Sequence, residues 1–282
     1  MSHPEKTHDS VIFETPAPYI ARIVLNRDER RNAQDTHLLY ALNDAFDRAA
    51  RDDSVRVIIL AANGPDFSSG HDLTEEKYLE NWKAHPQVGT YCGFSCGGAE
   101  PIMTREKELY QGLSERWRNI PKPTIAAVQG RCIAGGLMLI WPCDLILAAE
   151  TAQFRDNTLA MGISGVEYFC HPWEVGPRKA KEMLFTSDWL SAQDALRLGM
   201  VNHVVSADQL QDAALALASR IADKSPFALR LAKEAVNKCQ DAQGRLTAQE
   251  TAFAYHQLAH AHNMQVHGHP IDPSFMTTQF KK

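Results

Sequence analysis

Gln129-Gly-Arg-Cys-Ile-Ala-Gly-Gly-Leu-Met138 is the stretch that decides how this chain reads. It lies between two apolar runs: Thr124-Ile-Ala-Ala-Val-Gln129 precedes it, and the second run closes at Trp141-Pro-Cys-Asp144. The first run predicts a buried strand. Residues 133–141 predict a buried helix with Gly135 and Gly136 in its first turn. A strand feeding a glycine-rich helix start leaves backbone N–H groups uncrowded. The helix dipole adds a positive field there, so the site suits negative charge. If that charge is the oxygen of a polarised thioester, the turn is half of an oxyanion hole.

A second glycine turn can supply the other half. Pro65-Asp-Phe-Ser-Ser-Gly-His-Asp-Leu73 follows a strong strand, Val55-Arg-Val-Ile-Ile-Leu-Ala-Ala62. Two strand-to-glycine turns can aim two N–H groups at one oxygen. Each turn alone reads more readily as a tight turn without a ligand. Their pairing and the order of the flanking residues carry the functional reading.

Composition bounds the rest. The chain has 282 residues and is 44% hydrophobic, enough for one large domain or two small ones. A net charge of −5, with only the short Arg27/Arg30/Arg31 group as a basic cluster, argues against a nucleic-acid partner. No uncharged apolar stretch is long enough to span a membrane. Residues 1–10 are polar, lack the apolar middle of a signal peptide, and are expected to be a disordered lead. A cytoplasmic location is therefore expected. The six cysteines, Cys92, Cys96, Cys132, Cys143, Cys170 and Cys239, lack zinc-ribbon spacing and read as reduced, mostly buried thiols.

Alternating strands and helices point to an α/β core over residues 11–205. Strands are predicted at 11–14, 21–25, 55–61, 124–128 and 145–148. The first helix should begin at Asp35 or Thr36, with Leu38, Leu39, Leu42, Phe46 and Ala49 on one face. Residues 74–102 read as a lid over the site or a variable insertion. Residues 206–282 read as helical, with capping boxes at Ser206/Gln209 and Thr247/Glu250 and a Ser225-Pro226 start. His256 and His260 lie four apart on the last helix, near His262, His267 and His269. They are expected on a polar face or a subunit contact, and no metal site is expected.

Four segments resemble the enoyl-CoA hydratase/isomerase family, also called the crotonase superfamily, in the family's order. They are Ile23–Gln34, Phe67-Ser-Ser-Gly-His-Asp-Leu73, Pro121–Gly136 and Leu190–Asn202. The resemblance implies a spiral of ββα units with a C-terminal helical oligomerisation region that builds trimers or dimers of trimers. It implies an acyl-CoA substrate and no cofactor, coenzyme A being part of the substrate. The oxyanion donors would be the backbone N–H groups of His71 and Gly135. Arg31 and Ala33 would line the coenzyme A arm, with Ser69, Gly70 and Asp72 receiving its adenine and pantetheine. Gly136, Met138 and Thr158 would line the acyl site.

The chain departs from the family's pattern at two positions. Hydratases hold their water with two glutamates, and here those positions align with Met138 and Thr158. Methionine has no proton to exchange and threonine does not ionise near neutrality. An acid–base group must therefore come from elsewhere. Glu167, set among Val166, Tyr168 and Phe169, is the first candidate, Asp156 the second and His171 the third. The readings left open are water addition, isomerisation or hydrolysis through Glu167 or Asp156, and acyl-CoA binding without catalysis. A serine hydrolase built on Ser68, Ser69 and His71 lacks the nucleophile elbow, and Cys132 has no evident activator.

Overall fold

The computed structural model describes residues 9–91 and 96–274. Its strands are β1 (Val11–Ala17), β2 (Ile20–Leu25), β3 (Val57–Ala62), β4 (Thr124–Val128), β5 (Arg131–Ile133), β6 (Leu145–Ala149), β7 (Gln153–Arg155), β8 (Leu190–Ser191) and β9 (His203–Val205). The α-helices are α1 (Thr36–Arg51), α2 (Tyr78–Ala84), α3 (Glu100–Glu106), α4 (Leu113–Arg118), α5 (Leu137–Ile140), α6 (His171–Thr186), α7 (Ala192–Leu198), α8 (Leu210–Ala222), α9 (Pro226–Ala242) and α10 (Arg245–His267). A π-helical segment, Lys107–Gly112, joins α3 to α4 without a break in helical backbone.

The main sheet has the order β1-β2-β3-β4-β6-β9, all parallel except the antiparallel β1–β2 hairpin. Its central strands are apolar almost throughout because both faces are covered. Alternate residues divide between two cores. Ala21, Ile23, Leu25, Ile58, Leu60, Ala126 and Val128 face α1 and the interior. Ile20, Val24, Val57, Ile59, Ile125 and Ala127 face Leu210, Ala214, Ala218 and Ala222 of α8.

The second sheet, β5-β7-β8, creates the site. Strand β4 turns directly into β5, and β6 into β7, before a helix follows. The segment after β3 does the same, since Ser68 bridges Cys132 of β5 in parallel. The segment after β2 continues the stack, with Gln34 bridging His71. These successive turns form a ββα spiral whose repeat is not evident in the sequence. Each turn of the spiral brings a loop to the same edge.

Most predicted elements are present, and α1 is capped by the Asp35 side chain accepting from Leu38 N at 2.8 Å. Two capping expectations fail. Thr247 and Glu250 lie inside α10, which already starts at Arg245. Ser206 makes no side-chain cap bond. Ser225 caps α9 as predicted, ahead of Pro226. The start of the expected disordered lead and Cys92 lie outside the described residues, while the Ser10 carbonyl already accepts from Asn26 N at 2.8 Å. Within 74–91, Trp82 is fully buried and Glu75 accepts from Thr36 N at 3.1 Å, which ties this segment to the core.

Candidate functional site

Ala134 and Gly70 set the local backbone. Ala134, with φ 44°, opens a single 3-10 turn, Ala134–Gly136, directly after β5. A non-glycine residue held there costs roughly 1–3 kcal/mol, a strain found at functional sites. Gly70 has φ 89°, and a Cβ on it would stand 2.8 Å from the Ile133 carbonyl oxygen and 3.2 Å from Gly135 N. The two glycine turns predicted from sequence are therefore packed against each other. Gln34 N donates to Gly70 O, and Asp72 N to Gln34 O, which leaves the His71 N–H facing away from that pairing. Among the described residues, neither His71 N–H nor Gly135 N–H is taken up by a hydrogen bond.

Three buried polar atoms near these turns have no hydrogen-bond partner among the described residues: Gln34 Oε1, His71 Nε2 and Glu167 Oε2. A Cβ on Gly135 would meet His71 Nε2 at 2.8 Å and Gln34 Oε1 at 3.1 Å. Unsatisfied buried groups are rare in folded proteins, so the two beside Gly135, with Glu167 next to His71, mark a place of special chemistry. The His71 ring stacks on Tyr110 with centroids 3.9 Å apart. Burial pushes its imidazole down to about 3, so it is neutral at ordinary pH. Its Nδ1 lies 3.9 Å from Glu167 Oε1, a contact between side chains rather than an ion pair.

Glu167 is 3% exposed, and no arginine or lysine pairs with it among the described residues. Burial, then the charge of Glu106, push its carboxyl well above the ordinary glutamate value. Asp156 behaves oppositely. It is wholly buried and receives four donors: Thr158 N at 2.9 Å, Thr158 Oγ1 at 2.6 Å, Val166 N at 3.2 Å and His171 Nε2 at 2.8 Å. Burial works against its charge, yet the His171 and Thr158 bonds hold it below the usual value. Asp156, Thr158 and His171 thus form a loop anchor that positions Glu167, and the lone pairs of Asp156 are committed to it.

Arg31 projects into solvent from a left-handed backbone, φ 52°, and Ala33 is buried beneath it. Ser69 N donates to Arg31 O, joining this turn to the glycine loop. The Asp72 carboxylate is bound to Arg27 at 2.8 Å and to Thr74, and its N–H donates to Gln34 O, so neither is left for a ligand. Gly136 is packed against Ser68 and Cys132. Met138 is buried, and its sulfur accepts from Tyr168 N at 3.4 Å. Ser68 Oγ donates to Asn32 O rather than to any histidine, and burial raises the Cys132 thiol, which leaves neither placed as a nucleophile.

These features match a known architecture. The model of the family described as "Enoyl-CoA hydratase/isomerase" matches residues 17–90 and 96–269. The chain belongs to the enoyl-CoA hydratase/isomerase family. Its ββα spiral is the crotonase fold. A relative in Mycobacterium tuberculosis, EchA13, whose name places it among enoyl-CoA hydratases, is 46% identical over 253 residues, 88% of this chain and 80% of that one. A solved structure from Mycobacterium smegmatis described as an enoyl-CoA hydratase is 48% identical with TM-score 0.85, covering 94% of this chain and 99% of that one. An enoyl-CoA hydratase/isomerase structure from Xanthobacter autotrophicus Py2 is 33% identical with TM-score 0.75, covering 93% and 95%.

The family resemblance had no place for the helix over 100–118. It contributes Arg105, Glu106 and Tyr110 to the site. Arg105 Nη1 donates to Tyr110 Oη at 3.0 Å, and Nη2 reaches Glu75 at 3.1 Å. The π-helical segment changes the angular spacing here, and such segments recur at functional sites. Leu109, Leu113 and Trp117, four apart, signal the helix in sequence. No local pattern announces that Arg105, Glu106 and Glu108 would be buried. His256 and His260 were expected on a polar helix face or a subunit contact; instead they are 3% and 8% exposed and point at Glu106.

Proposed function

We propose that this chain is an acyl-CoA enzyme that stabilises a thioester enolate and moves a proton with a single carboxyl, Glu167. The thioester oxygen would accept from His71 N–H and Gly135 N–H, drawing charge off the acyl carbons. Glu167 would take a proton from one carbon and return it to another, the chemistry of double-bond isomerisation. The observation that carries this reading is the pairing of two uncommitted N–H groups with a buried carboxyl, Glu167, whose Oε2 has no partner among the described residues and whose Oε1 lies beside His71 of the same loop. Asp156 is withdrawn from the list of acid–base groups because its bonds are already filled. Met138 and Thr158 supply no second acid. Water addition is the second reading, favoured by the hydratase names of the relatives.

Incubating the protein with saturated, α,β-unsaturated and β,γ-unsaturated acyl-CoAs separates these chemistries. Isomerisation shifts the chromatographic position of the unsaturated substrates at constant mass. A gain of one water supports hydration, and free coenzyme A supports hydrolysis. Tight binding with no product supports an acyl-CoA binder and removes the proposal.

Gly70→Ala tests the two-turn geometry. Its Cβ would clash with the Ile133 carbonyl, and its φ of 89° suits glycine alone. Displacing one oxyanion donor lowers kcat by about 10²–10³. Steady-state kinetics showing an unchanged kcat would remove this pair of turns from the chemistry.

The C-terminal helices support the oligomer reading. Helix α9 buries none of its residues fully in the single chain, and Phe227 and Leu258 are 68% and 66% exposed. Large exposed apolar side chains grouped on helices mark interaction surfaces. We expect a homotrimer or a dimer of trimers, with Phe227→Asp or Leu258→Asp lowering the sedimentation mass toward the single chain. A wild-type protein that sediments as a monomer would count against this assembly.

A further inference from the structure

Glu106, His256 and His260 converge on one point, with donor atoms all within 4.8 Å of one another. His260 Nε2 lies 3.2 Å from Glu106 Oε1, and His256 Nε2 lies 3.6 Å from Glu106 Oε2. The two Nε2 atoms are 2.9 Å apart. Tetrahedral zinc with bonds of about 2.0–2.1 Å places its donors roughly 3.3–3.4 Å from each other. The separations of 2.9, 3.2 and 3.6 Å bracket that value, the two carboxylate distances being to its two different oxygens. Both histidines and the glutamate are buried, on α10 and α3.

The outer contacts fix which atoms face inward. His256 Nδ1 is 2.8 Å from Gly165 O, and His260 Nδ1 is 2.7 Å from Pro270 O. A carbonyl oxygen only accepts, so each Nδ1 carries a proton, and in the neutral rings each Nε2 presents a lone pair inward. Gln257 Nε2 donates to Glu106 Oε2 and orients that carboxylate. Histidines pinned through Nδ1 to carbonyls, with a supported carboxylate, are the usual outer arrangement of a metal site. Two lone pairs facing each other at 2.9 Å require either a cation or a shared proton between them.

We infer that Glu106, His256 and His260 form a three-ligand site for a divalent transition-metal ion of the zinc type. Two imidazoles and a carboxylate suit such an ion and leave one coordination position for water. Glu167 Oε1, 3.4 Å from His256 Nε2, is the carboxylate that stands beside that set. The ion would join α10 to the helix that carries Tyr110, behind the His71 loop. This site does not depend on which acyl substrate is used or on which carbon is attacked.

Cobalt titration of chelator-treated, untagged protein tests it. We expect saturation at one Co²⁺ per chain, with visible ligand-field bands of a low-coordinate nitrogen and oxygen site, displaced by Zn²⁺, and a rise in Tm with either ion. Glu106→Gln, which keeps the shape and the contact with Gln257, should weaken Co²⁺ binding at least tenfold, and His260→Ala should abolish the bands. The inference is overturned if the wild type gives no bands and no stoichiometric binding, or if Glu106→Gln binds as tightly. It is overturned equally if ¹⁵N-histidine spectra show a proton shared between His256 and His260 that added Zn²⁺ does not displace. None of these readouts requires turnover, so they stand apart from the fate of the isomerase reading.

Discussion

Replacing Glu167 with Gln lowers kcat by about 10²–10⁴ while acyl-CoA binding is retained, the range general acid–base groups contribute. The glutamine keeps the volume and removes only the titrating proton. Glu167 is buried, its Oε2 has no partner among the described residues, and its Oε1 lies 3.9 Å from His71 Nδ1. Loss of the carboxyl therefore costs chemistry more than structure. Burial and the Glu106 charge raise the proton affinity of this carboxyl, which suits a group that must take a proton from carbon and then return it. Single-turnover rates and a separate measurement of Kd for a saturated acyl-CoA distinguish the two effects. An unchanged rate in Glu167→Gln takes this residue out of the mechanism. A large rise in Kd at constant kcat would make it a binding group instead.

Asp156→Ala destabilises the protein by about 3–5 kcal/mol, the cost of breaking a buried pair by removing one partner. His171 Nε2, Thr158 N and Val166 N would all lose their acceptor in a site closed to water. Each orphaned buried donor adds to the loss. The pH dependence has a definite sign. Asp156 has a folded-state value below its ordinary one, so the unfolded chain binds the proton more readily. Its contribution is complete above the ordinary aspartate value and is lost as the pH falls through the folded value. Urea unfolding at neutral pH should show the full gap between wild type and Asp156→Ala, and the gap should narrow in acid. A gap that stays constant from neutrality to acid would show that Asp156 is not held as an ionised anchor.

Much of this architecture is legible from local chemistry. The apolar runs at 55–62 and 124–128 are strands buried on both faces, and their alternation divides cleanly between two cores. Asp35 caps α1 because a carboxylate suits free helix N–H groups. Gly70, Gly135 and Gly136 mark close approach of two chain segments: a Cβ would clash at the first two and be tightly packed at the third. The short strands β5, β7 and β8 escape notice because two or three residues carry no readable period. Thr247 and Glu250 mislead because a capping pattern inside a helix has the same spelling as one at its start.

Titratable groups separate the two levels most clearly. The sequence by itself determined that this chain has two strand-to-glycine turns and that Asp156, Glu167 and His171 are acidic and basic groups it could draw on. Tertiary structure alone decided their surroundings. Asp156 and Glu167 are both buried, yet one is surrounded by donors and stays charged while the other faces His71 and is pushed toward neutrality. Glu106 is 61 positions from Glu167 along the chain and its charge still acts on it. Desolvation and Coulomb coupling depend on the distance through space, and that distance exists only once the spiral has closed.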